Sequence, residues 1–171
     1  STAPLKPRHL VPDSPFVDQI APSPNIGERR GGGRIDFLIL HYTGLESARR
    51  SIDVLCDPRC EVSCHYLIDD DGAVVQMVGE ADRAWHAGLS SWHGVEDINS
   101  HSIGIEIQNP GHENGYPIFP ESQMEAVEAL AGDRRYQGYY LLFPDRSLPD
   151  RYEETLREIE NIRDMTPGFT V

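Results

Sequence analysis

Apolar and polar positions along the 171-residue chain fall into short runs that switch between two periods. In IDFLILHYTG, four apolar residues, Phe37 to Leu40, follow one another without a break. A run that short and that apolar predicts a strand buried on both faces. In HSIGIEIQNP the period is two: Ile103, Ile105 and Ile107 face one way, Gly104, Glu106 and Gln108 the other. CHYLIDDDGAVVQMV predicts a hairpin, with Tyr66 to Ile68, a turn at Asp71-Gly72 and a return over Val74 to Val78. GYYLLFPD predicts one more strand.

Helical spacing takes over in ESARRSIDVLCDP, where Ala48, Ile52 and Leu55 share a face and Asp57-Pro58 is the stop. PESQMEAVEALAGD predicts a helix opening after Pro120 and closing at Gly132. SLPDRYEETLREIENIRD predicts a third, with Tyr152, Leu156, Ile159 and Ile162 as its stripe. Strands mixed with helices give an α/β or α+β fold, a mixed central sheet flanked by helices. Residues 1–34 differ. Six prolines in the first 24 positions and the ending GERRGGGR exclude a helix or a central strand. They predict an extended arm that wraps the domain, tied down by Phe16, Val17 and Ile20.

Composition narrows the partners. Hydrophobic residues make up 39% and charged residues 25% of the chain, ordinary values for a globular domain. A net charge of −13 argues against nucleic acid and against an anionic membrane surface. No apolar run reaches the roughly 18 residues of a membrane span. STAPLKPRHLVPDSPF has no apolar leader, which predicts a cytoplasmic protein, with the periplasm as the other compartment. Cys56, Cys60 and Cys64 are four apart each time. An odd count fits a reducing compartment, and small buried thiols are a commoner use than a metal cluster.

Three features carry candidate chemistry. His41 stands at the mouth of the apolar strand, where it is either a hydrogen-bonded core histidine or a metal ligand or general base. DRAWHAGLSSWHG holds both tryptophans, Trp85 and Trp92, beside His86 and His93 among small residues. Such a loop suits sugars and peptides, or is a packed surface loop. Glu106 interrupts an isoleucine-lined strand and faces either a polar cleft or open water. Beside a metal-bound water, a carboxylate is the usual general base of a hydrolytic site.

The stretches PSPNIGERRGGGRIDFLILHYTG, VSCHYLIDDDGAVVQMV, RAWHAGLSSWHG and NSHSIGIEIQNPGHENGYPIFPESQ resemble, in order and spacing, the N-acetylmuramoyl-L-alanine amidase type 2 family. They are most similar to the branch that recycles anhydro-muropeptides. The resemblance runs from about Asp13 to Leu130. It implies a mainly antiparallel-edged mixed sheet, shared with phage lysozyme-type amidases and peptidoglycan recognition proteins, with 35–171 as the amidase-like domain. It implies one zinc ion, with His41 as a ligand, and Glu106 as the catalytic acid/base. Trp85, His86, Ala87, Gly88 and Asn109 would border the substrate groove. The implied reaction is hydrolysis of the amide between the lactyl group of N-acetylmuramic acid and L-alanine in peptidoglycan fragments.

From about residue 132 the chain departs from that family's pattern. The family carries a further His and an Asp as zinc ligands in a stretch like G-H-S-D-x-A-P-x-R-K-x-D-P-G. This chain has no histidine after His112. Arg163 to Gly168 has only the outline of the motif, with Asp164 at the Lys place and Thr166 at the Asp place. A catalytic zinc usually has three protein ligands. The alternative expectation is therefore a muropeptide-binding relative without catalysis.

Overall fold

A computed structural model describes residues 9–144 and 150–163, without the side chains of 150–152 and 160–163. Residues 164–168 of the Pro-Gly outline and the stripe positions Tyr152 and Ile162 therefore lie outside what is described.

The fold is α/β, built on a six-stranded mixed sheet. Its strands are β1 (Gln19–Ile20), β3 (Phe37–Tyr42), β4 (Tyr66–Ile68), β5 (Val74–Gln76), β9 (Ser102–Ile107) and β10 (Tyr140–Leu142). Two small ladders complete the strands: β2 (Ile26–Gly27) with β6 (Arg83–Ala84), and β7 (Ser91–Trp92) with β8 (Val95–Glu96). The helices are α1 (Ala48–Leu55), α2 (Glu121–Ala131) and α3 (Asp150–Arg163). The sheet order is β1-β5-β4-β9-β3-β10.

Within the six-stranded sheet, among the described residues, only β4 and β5 pair antiparallel; both edge pairs, β1 with β5 and β10 with β3, are parallel. The antiparallel edges implied by the resemblance are thus corrected. The long excursion from β3 to β10 passes through α2, which returns the chain to the same end of the sheet, as a parallel pair requires.

Period two sorts β9 as expected. Ile103, Ile105 and Ile107 are fully buried and pack with Leu38, Leu40, Tyr66 and Ile68 against α2 and α3. Met124, Val127 and Leu130 come from α2, and Leu156 and Ile159 from α3. The opposite face takes α1, whose Ala48 and Leu55 pack with Cys64, Leu67, Val75 and Met77. Ser47 caps α1, its hydroxyl accepting from the Arg50 N–H, and the helix stops at Cys56 before Asp57-Pro58. The hairpin turn is wider than Asp71-Gly72 alone, because Asp69 N–H donates to the Ala73 carbonyl. Gly72 has φ +87°, and a Cβ there would meet the Ser122 carbonyl oxygen at 2.6 Å.

The arm is fastened differently from the expectation. Phe16 and Ile20 are 42% and 37% exposed, so only Val17 packs on the core. Polar ties do the holding. Asn25 donates to the carbonyls of Asp57 and Val62. The Arg29 guanidinium donates to the carbonyls of Glu80, Asn99, Ser100 and Ser102. Charge-assisted bonds of this kind are the stronger class.

Candidate functional site

The parallel pairing of β3 with β9 sets His41 opposite Glu106 and Ile39 opposite Gly104. Register partners project from the same face of a sheet. His41 and Glu106 therefore stand side by side, on the face opposite the isoleucine core. On its other side Glu106 is partnered by Leu67 of β4.

His86 arrives from the loop after β6. Its ring lies directly on Gly104: a Cβ there would stand 2.5 Å from His86 Cγ and Cδ2. Glycine is required at that position because the ring fills the space of a side chain. His86 Nδ1 lies 2.9 Å from His41 Nε2, and His86 Nε2 lies 2.9 Å from Ser102 Oγ. The backbone N–H groups of His86 and Ala87 both donate to Asn99 Oδ1, at 3.0 and 2.9 Å.

His65 underlies the group. Its Nδ1 accepts from the Gly104 N–H, so its Nε2 carries the proton and donates to the Asp82 carbonyl, each at 3.0 Å. The Arg29 guanidinium, 3.2 Å from that Nε2, meets a donor rather than a lone pair.

Burial dominates the electrostatics. It lowers His41 to about 4. Burial and then the Arg29 charge lower His65 to about 3, against the opposing bond to Asp82. Burial, followed by neighbouring His41, His65, Arg29 and Arg83, pushes His86 well below the usual imidazole value. Burial raises Glu106 to about 8. Glu106 keeps part of its surface accessible, yet its Oε2 is buried and without a hydrogen-bond partner. At neutral pH this carboxyl is mostly protonated and the three imidazoles are neutral.

The remaining expected groove residues have different surroundings. The backbone of Trp85 is held by Ser63 in both directions, and its indole nitrogen lies against Gly27 of the arm. Ala87 packs on Phe37, Ile39 and Ile98. Gly88 is exposed. Asn109 is buried, donating to the Pro117 carbonyl and accepting from the Gly111 N–H, so it braces the loop after β9. His93 and Gly94, both at positive φ, form the two-residue turn of the β7–β8 hairpin. Sequence reasoning missed Ser102, Gly104 as a seat, and Asn99. Ser102 was within reach, since the alternation of β9 carried two residues back puts it on the face of Gly104 and Glu106.

The resemblance implies zinc at His41. Among the described residues no group of three or more His, Cys, Asp or Glu side chains could hold a metal ion. His41 Nε2 is itself engaged with His86. These donors do not fit a zinc ion, and no step below is routed through one. The cysteines are free and dispersed, with Cys64 buried, Cys56 half-buried and Cys60 exposed.

The pattern of the N-acetylmuramoyl-L-alanine amidase family matches residues 31–146. The chain belongs to that family. It is 35% identical over 112 residues to N-acetylmuramoyl-L-alanine amidase AmiD of Escherichia coli (strain K12), covering 58% of this chain and 40% of that protein. It is 31% identical over 125 residues to 1,6-anhydro-N-acetylmuramyl-L-alanine amidase AmpD of Haemophilus influenzae, covering 63% of this chain and 66% of that one. The chain thus spans between about two fifths and two thirds of the length of these relatives.

Among solved structures, a selenomethionine AmpD derivative superposes with a TM-score of 0.67 at 24% identity, over 86% of this chain and 99% of that one, a likeness of fold. Escherichia coli AmiD, solved with anhydro-N-acetylmuramic acid-L-Ala-D-γ-Glu-L-Lys, superposes with a TM-score of 0.53 at 35% identity, over 60% of this chain and 44% of that one. No helix among the described residues is long and apolar enough to cross a membrane.

Proposed function

We propose that this chain is an N-acetylmuramoyl-L-alanine amidase that hydrolyses the lactyl–L-alanine amide of anhydro-muropeptides. The observation that carries the reading is the juxtaposition of His41 and Glu106 as register partners inside the matched segment. Relatives named as amidases and a related AmiD solved with an anhydromuramyl tripeptide support the substrate class.

Glu106 is assigned the proton transfers. Burial keeps its proton in place at neutral pH, so it can protonate the leaving amine as the C–N bond breaks and water adds to the carbonyl. The carboxylate left behind then recovers a proton from the new carboxylic acid or from solvent. A group poised near the working pH is suited to this role. The groove is assigned to His86 and to the backbone of residues 85–88, with Asn109 holding the loop beside it.

The test is incubation with anhydro-N-acetylmuramyl-L-Ala-D-γ-Glu-L-Lys and detection of the free tripeptide by mass spectrometry. Appearance of tripeptide and sugar in equal amounts is expected. Cleavage at any other bond would reassign the specificity.

A further inference from the structure

We infer that the described residues hold no resident metal at His41: His86 engages its Nε2, and no two further ligands stand with its ring to complete a site. The inference rests on the reading of this centre as the amidase site.

His41 Nε2 and His86 Nδ1 are 2.9 Å apart, the length of a direct N–H···N bond. The arrangement is also built rather than incidental. Gly104 leaves the space that the His86 ring fills, Asn99 Oδ1 fixes the backbone on both sides of the ring, and Ser102 takes the second nitrogen. Turning His86 away would break a hydrogen bond at each end of its ring.

Among the described residues no substitute donor stands ready. His65, the third ring of the group, spends one nitrogen on Gly104 and the other on Asp82. Glu106 contributes a single carboxylate, short of the usual three ligands. No histidine follows His112 in the chain. What the family pattern implies for a metal is met here by a chain of hydrogen bonds, Ser102–His86–His41, beside an unpartnered Glu106 Oε2.

The experiment uses the full chain purified from zinc-supplemented medium. Elemental analysis is expected to find far less than one zinc per chain. Addition of one equivalent of Zn²⁺ is expected to leave the His41 and His86 ring-nitrogen resonances unmoved in a long-range ¹H–¹⁵N spectrum. One zinc per chain that is lost in His41→Ala, or a stoichiometric shift of the His41 Nε2 resonance in the wild type, overturns the inference. Zinc retained in His41→Ala sits elsewhere and leaves the inference standing.

Hydrolysis of the anhydromuramyl tripeptide with and without a chelator separates the two readings. No hydrolysis under either condition defeats the amidase assignment but not the metal inference. Hydrolysis abolished by chelator and restored by zinc defeats the inference but not the assignment.

Discussion

Glu106 owes its proposed chemistry to its surroundings. Burial raises it to about 8, so between pH 4.5 and 8 the native protein binds a proton that the unfolded chain has released. By linkage, stability falls as pH rises through that window, by at most about 1.4 kcal/mol per pH unit, and the contribution is complete below the unfolded value. Glu106→Gln keeps the shape and removes the titration. Its melting temperature is expected to gain on the wild type between pH 4.5 and 8 and to run parallel below and above. The same variant is expected to lose about a hundredfold or more in turnover, the range for a general acid/base. His86 tests a different role. His86→Ala should leave tripeptide release detectable while weakening substrate binding by about 1–3 kcal/mol, the range for leaving a buried polar partner unsatisfied. Calorimetric titration with the anhydromuramyl tripeptide at low temperature reads this, and unchanged affinity would remove His86 from the groove.

At the scale of elements, β9 is where local pattern and site coincide. Alternation alone sorted Ile103, Ile105 and Ile107 from Gly104, Glu106 and Gln108, and that sorting is realised because one face meets α2 and α3 and the other the site. The direction of the edge strands was not legible, because pairing sense depends on how far the chain travels between strands and not on the residues within them. The arm was misjudged for a related reason. Its apolar residues stand out in sequence, but Arg29 and Asn25 hold it through backbone carbonyls that no side-chain pattern announces. Gly104 offers a test of the seat beneath His86. Gly104→Ala places a methyl 2.5 Å from the ring, and should cost about 1–3 kcal/mol by overpacking. Urea denaturation measures this, and an unchanged midpoint would show that the ring moves aside freely.

For the whole molecule, three neutral imidazoles packed in one group, His65 buried and His41 and His86 half-buried, set the response to acid. His41 and His65 are lowered to about 4 and 3, and His86 well below its usual value. Below pH 6.5 the unfolded chain takes up protons that the folded one refuses. The contribution of these three rings is therefore complete above 6.5 and is lost as pH falls toward 3, against the opposite and smaller contribution of Glu106. A thermal melting series is expected to show that decline, with a shallower slope for His65→Gln. His41 and Glu106 were legible as candidates from the strand end, the interrupted isoleucine strand and the family resemblance, and the sheet register sets them side by side. The bond between His41 and His86 was not, since 45 residues of chain separate them and only the tertiary fold closes the gap. The proposed activity is hydrolysis of the lactyl–L-alanine amide at this site. The direct measurement is the rate of L-Ala-D-γ-Glu-L-Lys release from its anhydromuramyl conjugate by the wild type and by Glu106→Gln, followed by liquid chromatography and mass spectrometry. Steady release by the wild type and a loss of about a hundredfold or more in the variant are expected. Equal rates in the two proteins, or no release by folded wild type, would contradict that assignment.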